Sequence, residues 1–284
     1  VVSLGIKNLK GLIDIPSRKR CHNMTPGKDL NFWVAKLADR MPPMLTLQDG
    51  IYTCERGPGP DGRMHRSNLL VASSDVLAAD LVGAKLLGHE PHNVPHLVYA
   101  AHNRKRPHDL SDIEILGEDI KGLSKYHEYD FPYRETQDGI LPVPMAEQGL
   151  KGVFYRKYDL SMCTYCSGVN GLMVSAIRYA WRGEAWDDVE ILTGKSMAPT
   201  PGRKKTILMG KCMYQAHKDN PDIREMIAVK GCPPSPKSML KALHQAGIDA
   251  DPNMFEHWDE LPGLFFSRYK NRLEFDESFF QVKK

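Results

Sequence analysis

Thr206-Ile207-Leu208-Met209-Gly210-Lys211-Cys212 and Met226-Ile227-Ala228-Val229-Lys230-Gly231-Cys232-Pro233-Pro234-Ser235-Pro236 decide how this chain is read. Each begins with a short apolar run of strand length and passes through a glycine into a cysteine. Behind the second, Ser235 is a helix N-cap and Pro236 suits the first helical position. Met239, Leu240 and Leu243 then form an apolar stripe, and Gly247 ends it. Upstream, Val189 to Leu192 is another strand candidate, followed by a Pro/Gly-containing loop from Gly194 to Lys205. Before that, Cys163-Thr164-Tyr165-Cys166 opens a helical pattern. In it Leu172, Met173, Ala176, Ile177 and Ala180 share one face, and the helix should stop near Arg182-Gly183. Strand, loop and helix in alternation are the α/β pattern.

The chain has six cysteines, too few and too unevenly placed for a secreted disulfide scaffold. Cys21 and Cys54 stand alone. The other four follow C-x2-C, then 45 residues, then Cys212, then 19 residues, then Cys232. Cys163 and Cys166 are placed at a helix entrance, so both sulfurs can face one centre. If the strands before Cys212 and Cys232 are parallel, their thiols emerge at the same carboxyl edge, where open α/β sheets place ligands. Gly210 and Gly231 permit close backbone approach there, and Pro233 and Pro234 stiffen the exit. Four thiolates suit either structural zinc or an iron–sulfur cluster. Zinc sites usually come as two close pairs, and here only one pair is close. Cys163, Cys166, Cys212 and Cys232 are therefore read as the ligands of one [4Fe-4S] cluster, with Zn2+ as the alternative. Four ordinary, partly buried cysteines are the plainest reading.

Cys163-Thr164-Tyr165-Cys166-Ser167, Met209-Gly210-Lys211-Cys212 and Lys230-Gly231-Cys232-Pro233-Pro234 resemble the cluster-binding segments of nickel–iron hydrogenase small subunits and the related complex I subunit. Those families hold a [4Fe-4S] cluster with a C-x-x-C at a helix start, a cysteine after a G-x-C strand end, and a G-C-P-P. The complex I relative has adjacent cysteines, so the hydrogenase version is closer. The resemblance implies a flavodoxin-like half-domain, cysteines at carboxyl ends of strands, and an electron-transfer cluster. It does not imply nickel, because no hydrogenase large subunit accompanies it.

In the first half, Met44-Leu45-Thr46-Leu47 reads as a short strand opening into a loop from Gln48 to Arg63. Ser74-Asp75 caps a helix that runs to about Leu87 and stops at Gly88. Val94 to His102 is a second helix, entered through Pro95, and Ile113 to Leu116 is a strand. Asp80 faces the same way as Ala84 and so points inward. A buried Asp needs a partner, and Lys7 is the expected one. Lys7, Asp49 and Glu55 are the catalytic candidates, as proton donors or acceptors; equally, such residues cap turns. Gly57-Pro58-Gly59-Pro60-Asp61-Gly62-Arg63 is rigid and turn-rich. Two prolines remove backbone donors that a phosphate cradle would need, so a shaped loop beside a cleft is the better reading. His92 and His96 stand four apart, but Pro95 between them argues against a shared metal.

Gly5-Ile6-Lys7-Asn8-Leu9-Lys10-Gly11, Asp49-Gly50-Ile51, Glu55 to Gly62, and Ala72-Ser73-Ser74-Asp75-Val76-Leu77-Ala78-Ala79-Asp80 resemble the DUF362 family over residues 1–118. That family is named for its unknown function, and its members often carry iron–sulfur modules. The resemblance implies a redox context and supplies no reaction. A segment normally precedes the family's K-N-x-x-G motif. Val1 to Gly5 reads as the middle of a strand and the chain does not begin with Met, so an N-terminal part is expected to be missing.

The expected organisation is two lobes: a DUF362-like α/β domain at 1–118, an aromatic- and proline-rich connector at 119–158, and a four-cysteine α/β region with a C-terminal extension at 159–284. The 284-residue chain is 42% hydrophobic and 26% charged, with a net charge of +3, too weak to imply nucleic acid. It has no apolar run of membrane-spanning length and no secretory leader, so membrane insertion is not expected. Clustered cysteines fit a reducing cytoplasm. Arg18-Lys19-Arg20 and Arg104-Lys105-Arg106 read as solvated surface, or as a docking patch for an acidic ferredoxin-like donor. There is no dinucleotide fingerprint. A flavin stays open, since flavodoxin-like folds bind it with loops lacking a short signature, and so does a homo-oligomer. The expected function is an iron–sulfur oxidoreductase. The alternatives are a non-enzymatic electron-transfer subunit of a larger complex and a structural zinc-binding protein.

Overall fold

The computed structural model describes residues 2–57, 62–261, 263, 267–272 and 275. The chain divides into two compact units. One comprises Val1–Cys21, Thr25–Asp130 and Pro262–Lys284; the other comprises His22–Met24 and Phe131–Leu261.

The first unit contains α1 (Gly5–Asn8), α2 (Ile15–Cys21), α3 (Leu30–Ala38), β1 (Thr46–Glu55), β2 (Arg63–Ser73), α4 (Val76–Leu86), α5 (Pro95–Asn103) and α6 (Ile120–Leu123). β1 and β2 form one antiparallel hairpin, from Thr46 opposite Ser73 to Glu55 opposite Arg63, with an irregularity between Gly50 and Tyr52. The loop expected from Gln48 onward is thus strand as far as Glu55. Gly50 reads as a turn residue, but here it lets two backbones approach: a Cβ on it would stand 3.1 Å from the Leu69 carbonyl oxygen. α4 follows its sequence signals. Asp75 accepts the Leu77 N–H at 2.9 Å as N-cap, and Gly88 takes a left-handed φ of +74° after the helix. The strand reading at Val2–Gly5 gives way to a helix beginning at Gly5, because Asp80 from α4 accepts the N–H groups of Gly5 and Ile6. Those are the donors that a helix start leaves unmet. Ile113–Leu116 is irregular; it has no strand neighbour among the described residues, and Leu116 is exposed. Ile6, Leu77, Leu81, Leu97 and Val34 are buried at the centre of this unit.

The second unit contains β3 (Tyr133–Thr136), β4 (Gly139–Pro142), α7 (Val143–Glu147), β5 (Val153–Tyr155), α8 (Thr164–Ala180), β6 (Val189–Leu192), β7 (Lys205–Met209), α9 (Gly210–His217), β8 (Glu225–Val229), α10 (Pro236–Ala246) and α11 (Pro252–Glu256). β5-β6-β7-β8 form a four-stranded sheet in that order, and every neighbouring pair is parallel. The strands are mostly apolar, as a parallel sheet covered on both faces requires, with Glu190 buried in β6 and Lys205 and Glu225 at the starts of β7 and β8. Met173 and Ile177 of α8, Ile191, Ile207, and Met239 and Leu243 of α10 are wholly buried in one core. Each such side chain contributes on the order of 1.5–3 kcal/mol through burial. α10 behaves as its sequence dictates: Ser235 accepts the Ser238 N–H at 3.2 Å, Pro236 sits in the first turn, and Gly247 closes the helix at φ +87°. The architecture is mixed α/β.

The boundary between the units lies at Asp130/Phe131, inside the stretch read as a connector. The physical reason is packing. Tyr126 and Tyr129 lie against the His89 ring in the first unit, while Leu141, Met145, Val153 and Tyr155 belong to the core of the second. The extension read onto the second region divides likewise: the Tyr269 hydroxyl accepts the Met64 N–H at 2.8 Å, within the first unit. Among the described residues no helix is long and apolar enough to cross a membrane.

Candidate metal centre

Because β5 to β8 are parallel, their carboxyl ends lie along one edge of the sheet. α8, which follows β5, begins there with Cys163 as its N-cap residue and Cys166 in its first turn. Cys212 lies in the first turn of α9 directly after β7, and Cys232 follows β8. Gly210 is the point where three segments meet. It adopts φ +87°, and a Cβ on it would stand 3.4 Å from Cys166 Sγ, 3.6 Å from Pro234 Cγ and 3.7 Å from the Gly231 carbonyl oxygen. The Lys211 N–H donates to that same Gly231 carbonyl at 3.1 Å. A Cβ on Gly231 would lie 2.7 Å from the Pro233 carbonyl oxygen, so no larger residue fits without a backbone shift.

The thiols influence one another. The Cys163 thiol is held well below its ordinary range, chiefly by the Cys166 thiol beside it. Burial opposes this, while the Cys166 and Tyr165 N–H groups and the Lys195 ammonium reinforce it. A helix N-terminus favours a thiolate in this way. Cys166 is pushed the other way, first by its bond with Cys163, then by burial, then by the charges of Cys163, Cys212 and Cys232. Cys163, Cys212 and Cys232 are therefore each within electrostatic reach of Cys166. Among the described residues no three His, Cys, Asp or Glu side chains close to the spacing of a single-ion site. Cys163 is buried and Cys166 half-buried, whereas Cys212 and Cys232 are exposed, so the group opens to solvent on one side. Beneath it, the buried Tyr155 hydroxyl donates to Asn170 Oδ1 at 2.7 Å and ties β5 to α8.

Of the catalytic candidates of the first unit, Lys7 lies on α1, and Asp49 and Glu55 stand six residues apart on β1. Lys7 lies in α1 and donates to Ser3 Oγ at 2.8 Å; burial lowers its pKa. Asp49 accepts the Ile51 N–H at 2.9 Å, a local turn-like bond on an exposed side chain. Glu55 is at the other end of β1, six residues on and so roughly 20 Å away at strand rise. Burial pushes the Glu55 carboxyl up, but His65, the Glu128 N–H and Arg56 together hold it below its ordinary range. Asp80 points inward, as expected, but its partners differ from the expected Lys7. It accepts Gly5 N–H and Ile6 N–H at 2.8 Å each and Gln48 Nε2 at 2.7 Å. Backbone amides at a helix start are invisible to a search for oppositely charged side chains.

One polar chain escaped the sequence altogether. His127 Nδ1 lies 2.6 Å from the Lys125 carbonyl oxygen, which makes Nδ1 the protonated nitrogen. Nε2 then accepts from Thr53 Oγ1 at 2.6 Å, and Thr53 Oγ1 is 2.7 Å from Ser67 Oγ. The T-shaped His65–His127 ring pair lies beside it. Burial lowers the His127 pKa, so the ring is neutral at neutral pH. Thr53 and Ser67 come together only through strand pairing, and His127 from a distant loop. His92 and His96 form no metal pair: His92 is in a 3-10 turn, and His96 is wholly buried in α5. In Arg104-Lys105-Arg106, Lys105 is exposed and the two arginines are half-buried and paired. Arg104 pairs with Asp39 at 3.7 Å, and Arg106 with Asp112 at 2.8 Å and with Asp75.

No curated protein and no solved structure matches this chain. Residues 1–85 match the family model of DUF362, a domain of unknown function.

Proposed function

We propose that this is an iron–sulfur redox protein in which Cys163, Cys166, Cys212 and Cys232 hold one [4Fe-4S] cluster. The observation that carries the reading is the meeting of three cysteine-bearing segments around Gly210 at one sheet edge. In a cubane each of the four thiolates would bind a different iron. A single zinc would draw all four sulfurs to about 2.3 Å from one ion. The setting also suits an anionic group. α8, α9 and α10 begin at the edge that carries the cysteines, so the positive ends of their dipoles lie there. Lys195 adds positive charge beside Cys163. When bound, such a cluster supplies one-electron transfer. The likeness to the hydrogenase small-subunit segments and to a flavodoxin-like half-domain supports the same reading.

The chain acts either as an oxidoreductase passing electrons to a substrate or as an electron-transfer subunit. The exposure of Cys212 and Cys232 favours exchange with a protein partner. Exposed Lys211 and Lys230 flank the exposed cysteines in sequence, which fits an acidic, ferredoxin-like donor in the cytoplasm.

The test is iron and sulfide content with an absorption spectrum, on protein purified without oxygen, before and after dithionite. About four irons and four sulfides per chain and a band near ~400 nm that bleaches on reduction are expected. One tightly held zinc and no colour would sink the redox reading and favour a structural zinc protein. Cys212→Ser and Cys232→Ser should each lose iron while keeping the α/β circular dichroism signal.

A further inference from the structure

We propose that the first unit carries an acyl-transfer site for small carboxylic esters, with Thr53 as nucleophile, His127 as its general base and His65 as donor to the oxyanion. The site uses none of the cysteines, so it stands apart from the cluster reading.

The proton positions follow from the partners. The Lys125 carbonyl oxygen can only accept, and it lies 2.6 Å from His127 Nδ1, so that nitrogen carries the proton of the neutral ring. Nε2 is then bare and accepts the Thr53 hydroxyl at 2.6 Å. With its own proton so directed, Thr53 Oγ1 accepts the Ser67 hydroxyl at 2.7 Å. A hydroxyl bonded to an imidazole whose far nitrogen is fixed by an acceptor is the arrangement that activates an oxygen nucleophile. Burial keeps the ring neutral and so able to take the proton. His127 is buried, whereas Thr53 and Ser67 are half-buried, so the base is sealed while the hydroxyl-bearing residues keep some exposure.

His65 supplies the remaining part. It pairs directly opposite Thr53 in the hairpin, which puts the two side chains on one face. Lys125 Nζ lies 3.3 Å from His65 Nδ1. An ammonium only donates, so Nδ1 accepts and Nε2 carries the N–H. That nitrogen is buried and makes no hydrogen bond. Glu55 Oε2 is 3.5 Å from it, longer than an ordinary hydrogen bond, and the His65 side chain is only 10% exposed. A buried donor without an acceptor is costly, and the oxyanion formed when Thr53 attacks a carbonyl is an acceptor beside it.

The reaction balances with water as the only co-reactant. Thr53 Oγ1 bonds the acyl carbon and its proton passes to His127 Nε2. The ester C–O bond breaks and the leaving oxygen takes that proton. Water then gives a proton to His127 and attacks the acyl-threonine, which releases the carboxylic acid and returns the proton to Thr53. A carbonyl rather than a carboxylate holds His127 Nδ1, which stabilises the imidazolium less and so suits ester leaving groups better than amides.

The experiment is hydrolysis of p-nitrophenyl acetate by the full-length chain, with mass spectrometry of the acetylated peptides after an acid quench. Turnover, and acetyl on Thr53, are expected. Thr53→Val, an isosteric change, should lower kcat/KM at least tenfold, and Thr53→Ser should keep it. His65→Phe should lower kcat on the order of 100-fold. Cys54 is an exposed thiol next to Thr53, and Cys54→Ala should keep both turnover and label. Should a variant fail to fold, the wild-type protein decides: a fluorophosphonate probe should modify Thr53. No turnover above buffer, turnover that Thr53→Val keeps or Cys54→Ala loses, or label on cysteines or lysines alone would overturn the proposal.

Discussion

Asp80→Asn tests how the first unit is held together and gives a quantity to check. Asp80 is wholly buried and accepts hydrogen bonds from Gly5 N–H, Ile6 N–H and Gln48 Nε2, joining α4 to the start of α1 and to β1. Burial raises its pKa from 3.8 to about 7, against the pull of those three donors. The folded unit therefore keeps a proton on Asp80 over a range in which the unfolded chain has released it. The contribution of this group to stability is full below the unfolded pKa and is lost as the pH rises through about 7. Roughly three pH units at about 1.4 kcal/mol each give a change of about 4 kcal/mol, with a slope no steeper than about 1.4 kcal/mol per pH unit. Asparagine has no proton to release, so D80N should lack this dependence. Its amide N–H must also face a backbone N–H, leaving a buried donor unmet at about 1–3 kcal/mol. Urea unfolding read by pulsed hydrogen exchange and mass spectrometry separates peptides of the two units. Between about pH 4 and pH 7 the wild-type midpoint of first-unit peptides should fall and that of D80N should stay nearly level. Parallel pH profiles for the two proteins would refute the assignment of this titration to Asp80.

Other consequences can be checked directly. Gly231→Ala drives a Cβ to 2.7 Å from the Pro233 carbonyl oxygen, whereas Gly210→Ala meets Cys166 Sγ at 3.4 Å with a strained φ of +87°. The strained φ at Gly210 costs about 1–2 kcal/mol, and G231A should lose more bound iron than G210A; full iron retention in G231A would contradict the close approach. His127→Ala breaks the Thr53–His127–Lys125 chain and should destabilise the first unit by about 2 kcal/mol in urea unfolding, with an unchanged midpoint counting against it. Lys211→Glu with Lys230→Glu should slow reduction by an acidic ferredoxin, more so at low salt; equal stopped-flow rates at all salt concentrations would remove the docking role.

What could be read in advance depended on how local its cause was. The caps at Asp75 and Ser235, Pro236 at the first helical position, the stops at Gly88 and Gly247, and the strands read at Val189–Leu192, Thr206–Met209 and Met226–Val229, which the structure extends by one residue to Lys205 and Glu225, all follow from a few neighbouring residues. So does the repeated step from an apolar strand through glycine to cysteine, which singled out Cys212 and Cys232 before any geometry was known. Where several distant segments contribute, local signals mislead. Gln48 to Glu55 reads as part of a loop, yet pairing with β2 makes it strand. Val1 to Gly5 looks like strand, yet Asp80, more than seventy residues away, accepts the N–H groups of Gly5 and Ile6, and a helix starts at Gly5. The parallel register that brings the cysteine-bearing segments to one sheet edge and the Thr53–His127 bond are both products of tertiary contact. Sequence alone determined which residues are candidates for chemistry and many of the short runs that become strands and helices, because those depend on side-chain type and local periodicity. Only the tertiary structure decided which of those residues meet, because hydrogen bonds and charge interactions act over a few ångströms and take no account of separation along the chain.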